Sequence, residues 1–433
     1  MSLVQRIRSS QFLRGSFFVF SGSFAVNFGN FLLSLILARL LGSVDFGNLG
    51  AIIAVISLFG VPLSVFNLYI IKTVSVLWGA SKKAKIIGLY SYFFPNLLLL
   101  GTGIALMLIF FRIPIAAFLN QKDSSPVMIA SLLFITSSLG VLNNAVIDGI
   151  LAFKLIAVNS IIEIIFKVTT SIFLVLSGLG LIGAVLGYLS ASLARIISQI
   201  IEIKLIFRKE KAKIYKFDKS QLKSFLPIMA TTLILTSFFN ADIIMVKHYF
   251  DPSTSGNYVA LSTAGKIILY AMGPVITVMF PLVSSRKSAG YSYLMPLLGS
   301  LLISVGLSLS IMLLFFLAPE MIVRILFGNK YPLVVPHLTH FSFFIAFYSL
   351  NTILTYFLLS ASYHRSLFFL FTAALSQWLL LLVFHNSVYQ VININILVSI
   401  IYFILAFYFF LIKEYNNLLN LYVKLKPKKI INV

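Results

Sequence analysis

Long apolar stretches recur along the whole chain and are separated by short polar or basic segments. A helix that spans a membrane needs about 20 predominantly apolar residues. Twelve stretches reach that length, so the pattern predicts spanning helices at residues 15–38, 46–71, 86–111, 126–150, 155–177, 179–206, 222–246, 256–283, 293–318, 336–361, 366–385 and 390–412. These stretches lack the alternation of apolar and polar positions that is typical of a membrane β-barrel. The pattern therefore predicts an all-α polytopic membrane protein of about twelve transmembrane helices.

The composition indicates the same class of protein. Hydrophobic residues make up 60% of the 433 residues and charged residues only 10%, whereas about a quarter of a soluble domain is charged. This excludes a soluble enzyme and a single-pass receptor. The chain has no cysteine, which excludes a disulfide framework and a thiolate metal site. Of the five histidines only His337 and His340 are close in sequence, so we predict that no metal is bound.

The net charge of +22 indicates how the chain is oriented in the membrane rather than that it binds nucleic acid. Basic loops on the cytoplasmic side are how a membrane protein sets its direction, so we expect no nucleic-acid partner. With a cytoplasmic N-terminus and twelve crossings, four basic residues lie inside the segments and 23 of the 33 are cytoplasmic. The outer side holds Arg39, Arg112, Lys122, Lys247, Arg324 and Lys330. This asymmetry predicts that both termini are cytoplasmic.

The two halves of the chain share short matches in the same order. Gly47-Asn48 matches Gly256-Asn257 at an offset of 209, and Pro126 matches Pro332 at an offset of 206. The matching segments run in the same direction, so we predict a parallel repeat of six helices; transporters commonly bind substrate between two such repeats. The expected organisation is an N-terminal six-helix lobe at 1–207, a basic cytoplasmic linker at 208–221, a C-terminal six-helix lobe at 222–412 and a basic cytoplasmic tail at 413–433.

Charged side chains inside the segments are the main functional candidates, because a charge at the bilayer centre costs at least a few kcal/mol. Glu163 and Lys167 lie on one helix face at i and i+4. They form either a self-neutralising pair between packed helices or part of a cavity in which the lysine meets an anion. Arg195 and Lys266 have no opposite charge within one helical turn. Each is either an anchor to lipid head groups or a cation that lines a cavity.

Two further charges stand near segment ends. Asp242 is a candidate proton or sodium site, or else the partner of Lys247 or Lys266 in the folded bundle. Arg39 ends the first segment, and we expect Asp45 to be its partner. Carboxylates are few inside the segments and cations accompany them, which favours an anionic substrate over a cationic drug.

Two prolines interrupt apolar runs. Pro62 and Pro274 lie inside the second and eighth segments. Proline removes a backbone hydrogen bond and kinks a helix. Each proline therefore marks either a static kink or a hinge for alternating access.

Motifs of enzymes are missing. The chain has no Walker loop and no apparent serine–histidine–acid set. A membrane glycosyltransferase or polymerase would need a long outer loop with catalytic side chains, whereas the longest outer loop expected here is residues 112–125. We therefore expect a protein that performs no bond chemistry.

The order of several short motifs resembles the polysaccharide flippases of the MOP superfamily. The motifs are Leu37-Ala38-Arg39-Leu40-Leu41-Gly42 followed by Phe46-Gly47, Gly180 followed by Gly183-Ala184, Asp242 before Gly256-Asn257-Tyr258, and Leu326-Phe327-Gly328-Asn329-Lys330-Tyr331. That superfamily includes the O-antigen and related lipid-linked oligosaccharide flippases and, more distantly, MATE exporters and the lipid II flippase. The last of these has two additional helices, so twelve segments argue against it.

The resemblance implies that the chain moves an undecaprenyl-pyrophosphate-linked oligosaccharide from the cytoplasmic to the periplasmic leaflet of a bacterial inner membrane. A cavity between two lobes would open alternately to each side, with no cofactor but with coupling to a gradient of H+ or Na+. Partners would be the lipid bilayer and, beside the lipid-linked substrate, the polysaccharide polymerase and chain-length machinery.

The resemblance also assigns roles to residues. Arg195, Lys266, Lys167 and Arg39 are the substrate-binding candidates, and Glu163 and Asp242 are the ion-coupling or gating acids. The alternative is a MATE-like cation-coupled drug or metabolite antiporter. In that case an acid such as Asp242 would dominate, and neutralising the basic residues would have little effect.

Overall fold

The computed structural model describes residues 3–217, 225–288 and 292–425. Within these ranges the regular elements are helices, without a strand. They are α1 (Leu3–Gly79), α2 (Lys83–Phe110), α3 (Arg112–Phe118), α4 (Ser125–Gly149), α5 (Phe153–Leu174), α6 (Gly180–Ile206), α7 (Leu226–Tyr249), α8 (Pro252–Ser288), α9 (Leu294–Leu317), α10 (Pro319–Phe327), α11 (Val334–Ser360), α12 (Leu367–Val383) and α13 (Val388–Leu425). Residues 218–221 of the expected linker and 426–433 of the expected tail lie outside the described residues.

Ten helices in the described part of the chain are long and apolar enough to cross a membrane. Two of them, Phe24–Gly79 and Phe153–Ile206, have 56 and 54 residues. Because about 20 residues at about 1.5 Å each span the hydrocarbon core, each of these stretches has enough residues to cross it twice. Each contains a glycine with positive φ, Gly42 at 76° and Gly178 at 91°. The chain is thus a multi-pass helical membrane protein, and the count of ten differs from the expected twelve at these two helices.

The second long helix is an antiparallel hairpin of α5 and α6. The connection is a single π-helical turn in which Gly178 takes the left-handed conformation that glycine tolerates. Residues of α5 that lie farther before the turn contact residues of α6 that lie farther after it, as expected for antiparallel helices. Ser171 Oγ donates to the Ala184 carbonyl at 3.3 Å near the turn, and Asn159 Nδ2 donates to Glu202 Oε2 at 2.7 Å far from it. The hairpin therefore brings distant positions of α5 and α6 side by side.

The order of elements repeats in the two halves. A spanning helix, a short helix and another spanning helix follow one another as α2, α3 and α4, and again as α9, α10 and α11. The short helices have seven and nine residues. The apolar pattern does not predict them, because each is too short to appear as a separate apolar run. The parallel repeat of six helices itself stays a prediction.

The helices form two compact units. One comprises Met1–Met229, Val246–Thr263 and Arg324–Pro332, and the other comprises Ala230–Met245, Ala264–Val323 and Leu333–Val433. In the second unit the polar side chains of Asn351 and Gln377 are fully buried, whereas Leu302 is 74% exposed. Polar groups inside and large apolar groups outside are what a lipid solvent requires.

The repeated Gly-Asn motifs meet inside the first unit. A Cβ added at Gly256 would overlap the backbone of Ser43, and one added at Gly47 would come within 3 Å of Gly256. The two helix segments can approach this closely only because neither position carries a side chain.

We expect Gly256→Ala to lower the free energy of unfolding by about 1–3 kcal/mol, because the Ser43 carbonyl belongs to the backbone and cannot rotate away. Thermal unfolding of the detergent-purified protein measures the effect. Gly306→Ala is the matched control, since a Cβ there meets nothing within 4 Å. Equal melting temperatures for the two variants would contradict the close approach.

Candidate functional site

Glu163, Lys167 and Arg195 form a charged cluster within the first unit. Lys167 Nζ lies 3.5 Å from Glu163 Oε1, one turn along α5, and Arg195 Nη1 of α6 forms an ion pair with Glu163 Oε2. The α5–α6 hairpin brings Arg195 to Glu163 although the two are 32 positions apart. All three side chains are mostly buried. One carboxylate thus holds two cations, and the directly paired groups carry a net positive charge.

The surroundings of this cluster leave one donor unused. Lys167 Nζ also donates to Asn30 Oδ1 at 3.1 Å and lies 4.9 Å from the centroid of the Tyr188 ring. Asp148 of α4 acts on Arg195 electrostatically without forming an ion pair. Arg195 Nε is buried and has no hydrogen-bond partner in the described ranges. A buried guanidinium with a free N–H is equipped to receive an additional oxygen ligand.

The polar face continues along the same helices. Gln199 Nε2 of α6 donates to Asn144 Oδ1 of α4, and Asn159 of α5 donates to Glu202. Asn159 Oδ1 and Gln199 Oε1 are buried acceptors without a partner among the described residues. The facing sides of α4, α5 and α6 therefore carry a row of polar groups within the first unit.

The second unit contains a separate pair of charges. Asp242 of α7 is buried and acts electrostatically on Lys266 of α8. Lys266 Nζ lies 4.9 Å from the centroid of the Phe239 ring, and Tyr348 packs on that ring at 5.0 Å. The Tyr348 hydroxyl donates to the Leu235 carbonyl at 3.0 Å, which fixes the aromatic pair. Lys266 therefore lies over an aromatic face and is attracted electrostatically by a buried carboxylate.

Arg39 makes a different set of contacts in the first unit. Its guanidinium donates to the carbonyls of Ile325 and Leu326 in the last turn of α10. The distance from Arg39 Nε to the Leu326 oxygen is 3.2 Å. Carbonyls at a helix C-terminus lack intrahelical partners, and arginine is well suited to cap them. Lys330 Nζ donates back to the Arg39 carbonyl at 2.7 Å. Burial raises the pKa of nearby Tyr331, whose hydroxyl donates to a carbonyl of α1.

One expected pairing is corrected by these contacts. Arg39 does not pair with Asp45, because its guanidinium is taken by the α10 carbonyls; Asp45 acts electrostatically on Lys247 instead. Of the two partners expected for Asp242, Lys247 and Lys266, the carboxylate acts electrostatically on Lys266. Arg195 is an ion-pair partner rather than a lipid anchor.

The two prolines lie in continuous helix. The backbone of α1 stays helical through Pro62, and its break in dihedral angles is at Gly42. Pro274 lies within α8. A hinge at either proline stays a prediction. Among the described residues, no three His, Asp or Glu side chains are grouped so that they could hold a metal ion.

Several residues of the clusters were not predicted. Asn30, Tyr188 and Phe239 contact the candidate lysines, yet none carries a charge that would mark it in an apolar run. Asn30 could have been suspected as a polar position within the first segment. The two aromatic contacts had no signal, because aromatic residues are abundant throughout the chain.

A sequence profile of a family described as "Polysaccharide biosynthesis protein" matches residues 36–336, which is more than half of the chain. No curated protein matches the chain.

Solved structures share the fold at low sequence identity. An inward-facing multidrug resistance MATE family transporter of the MOP superfamily gives a TM-score of 0.68 at 11% identity, over 88% of this chain and 93% of that one. The lipid II flippase MurJ in an inward closed conformation gives a TM-score of 0.58 at 18% identity, over 89% of this chain and 86% of that one. A MOP superfamily transporter from Pyrococcus furiosus gives a TM-score of 0.57 at 17% identity, over 91% of this chain and 94% of that one. At these identities the likeness concerns the fold alone.

Proposed function

The chain belongs to the polysaccharide biosynthesis protein family, and on that premise we propose that it is a flippase for lipid-linked oligosaccharides. It would move undecaprenyl-pyrophosphate-linked repeat units, of the O-antigen type, from the cytoplasmic to the periplasmic leaflet of a bacterial inner membrane by alternating access. In this proposal the two longest helical stretches each cross the membrane twice and turn back at the breaks near Gly42 and Gly178. The ten candidate helices then make twelve crossings, arranged in two six-helix lobes. Both termini are then cytoplasmic.

The cluster of Glu163, Lys167 and Arg195 is the observation that supports this substrate. Two cations share one carboxylate, and Arg195 retains a buried N–H that has no partner in the described part of the chain. Pyrophosphate oxygens accept strong charge-assisted hydrogen bonds, and the planar guanidinium matches their geometry. A site for cationic drugs would need the opposite balance of charge.

The acids supply a means of coupling. Glu163 holds two cations, and Asp242 acts on Lys266, so protonation or cation binding at either carboxylate would release a lysine or arginine toward an anion. We propose coupling to a gradient of H+ or Na+ through these two residues, with no cofactor and no bond chemistry. Polysaccharide polymerase and chain-length proteins would act on the product.

A deletion strain of the native host tests the proposal. Surface polysaccharide and the pool of lipid-pyrophosphate-linked repeat units are measured in the same cells. We expect the surface glycan to be lost while repeat units that face the cytoplasm accumulate, and their mass identifies the substrate. An unchanged glycan with increased sensitivity to cationic dyes would overturn the proposal in favour of the antiporter.

Lys266→Ala tests whether Lys266 belongs to the substrate site. We expect it to lower glycan flux about tenfold, because a charge-assisted hydrogen bond contributes about 1.5–3 kcal/mol. Lys204→Ala is the matched control, since Lys204 is an exposed lysine in the last turn of α6. Complementation of the deletion strain measures both variants at equal expression. Normal glycan flux with Lys266→Ala at equal expression would remove Lys266 from the substrate site.

A further inference from the structure

The segment that follows α6 is seated on the first unit rather than free. We call residues 208–217 the strap. The Lys213 amide donates to the Ala84 carbonyl at 3.0 Å, which joins the strap to the start of α2. A Cβ at Gly88 would overlap the Lys213 carbonyl, so the strap lies directly against the α2 backbone. This seat exists only because position 88 is glycine.

The underside of the strap is aromatic. The hydroxyls of Tyr215 and Tyr69 are hydrogen-bonded at 2.7 Å. The ring of Phe217 packs on those of Tyr69 and Phe93, each at 5.4 Å between centroids. Tyr215 and Phe217 are two positions apart, so an extended strap turns both toward the helices and the intervening Lys216 away from them.

The outward side of the strap is strongly basic. Its exposed cations are Arg208, Lys209, Lys211, Lys213 and Lys216, against a single acid, Glu210. Lys83 and Lys85 flank Ala84, the residue whose carbonyl holds the strap, so their backbones lie within about 4 Å of that anchor along the chain. Ile214 is 90% exposed in the middle of these charges. An apolar side chain among cations is a combination found in segments that lie at a membrane interface.

The strap lies at the ends of two candidate membrane-spanning helices. It begins two residues after the end of α6 at Ile206 and is fastened to the first turn of α2 at Ala84. Both helices are long and apolar enough to cross the bilayer. Orientation of a membrane protein requires only that a loop be basic. A basic loop can orient the protein without the contact at Gly88 and without the aromatic contacts of Tyr215 and Phe217, so these contacts call for another explanation.

We propose that the strap and the start of α2 form a binding surface for anionic phospholipid head groups. The cations hold lipid phosphates, and Ile214 enters the head-group layer between them. The fixed seat presents these groups as one surface instead of a mobile tether. The proposal stands apart from the transport function and concerns the lipids that surround the protein.

Tryptophan quenching by brominated lipids tests the proposal with the full chain. The ring of Trp78 lies 6.3 Å, between centroids, from that of Phe207, which immediately precedes the strap. The chain has two tryptophans, so the substitution Trp378→Phe leaves Trp78 as the single fluorescent indole. The protein is reconstituted in mixed phosphatidylglycerol and phosphatidylcholine vesicles, with either lipid brominated. We expect brominated phosphatidylglycerol to quench Trp78 at least about twofold more than brominated phosphatidylcholine at equal mole fraction, and added salt to reduce the difference.

Two variants test the charge and the seat separately. Lys211→Gln with Lys213→Gln should remove the preference, whereas Lys122→Gln with Arg324→Gln removes two exposed cations elsewhere and should preserve it. Gly88→Ala keeps every charge and favours the α2 helix, but it displaces the strap and should also remove the preference.

Three results would overturn the proposal. One is equal quenching by the two brominated lipids in the parent chain. Another is a preference that survives in both the lysine variant and Gly88→Ala. The third is a preference that inorganic pyrophosphate abolishes at micromolar concentration, which would make the surface a diphosphate site rather than a lipid surface.

Discussion

Arg195→Ala is expected to reduce flipping of the lipid-linked oligosaccharide about ten- to a hundredfold, since a lost charge-assisted hydrogen bond contributes about 1.5–3 kcal/mol. Arg195 holds Glu163 through Nη1 and leaves its buried Nε free for a ligand. The substitution spares the pair between Glu163 and Lys167, so the carboxylate is not left alone in the bilayer. We therefore expect expression and melting temperature to change little. Rates per folded protein in reconstituted vesicles measure the effect.

Arg195→Lys is the informative companion. It keeps the positive charge but removes the planar fork that matches phosphate oxygens. An intermediate rate would show that geometry as well as charge matters at this position. A normal rate for Arg195→Ala, and for the double variant with Lys266→Ala, would remove both residues from the substrate site.

Glu163→Gln is expected to be the most destabilising single change in the cluster. It leaves Lys167 and Arg195 facing each other without their shared carboxylate. Removing one partner of a buried ion pair costs about 3–5 kcal/mol, because an uncompensated charge stays behind. We expect a marked fall in melting temperature and in folded yield. Thermal unfolding in detergent and fluorescence-detected size exclusion measure both.

The order of the variants is the critical comparison. Glu163→Gln should destabilise the protein more than Arg195→Ala, and Glu163→Asp should retain most of the stability because the charge remains. Loss of Lys167 as well, in the double variant with Lys167→Gln, should recover part of the stability by removing one of the two unpaired cations. A neutral Glu163→Gln would contradict the arrangement in which one carboxylate serves two cations.

The spanning helices could be predicted from sequence because lipid imposes a length on every apolar run. The resemblance to polysaccharide flippases is confirmed by the family match over residues 36–336. The break in helical dihedral angles at Gly42 lies between the first two expected segments, 15–38 and 46–71. α13 continues to Leu425, beyond the expected end at residue 412, because its last turns are polar but still helical.

Charge pairs within one helix could be predicted from their spacing, and the interaction of Asp242 with Lys266 was one of two alternatives. The contact between Glu163 and Lys167 follows from their spacing within one helix. The contact between Glu163 and Arg195 depends on the hairpin, so no local pattern reveals it. Arg39 was assigned to Asp45 because sequence shows only side-chain acceptors, whereas its true acceptors are backbone carbonyls of a short helix. Tertiary structure supplies what the local pattern lacks.

Reconstitution tests the central claim, which is that this chain moves a lipid-linked oligosaccharide across a bilayer. The purified protein is placed in vesicles that contain a fluorescently labelled polyprenyl-pyrophosphate oligosaccharide, and dithionite is added outside to reduce the accessible label. We predict that the protein makes the protected inner-leaflet label accessible and that Arg195→Ala slows this exchange. Label that stays protected as in protein-free vesicles, with the protein folded and inserted, would contradict the account.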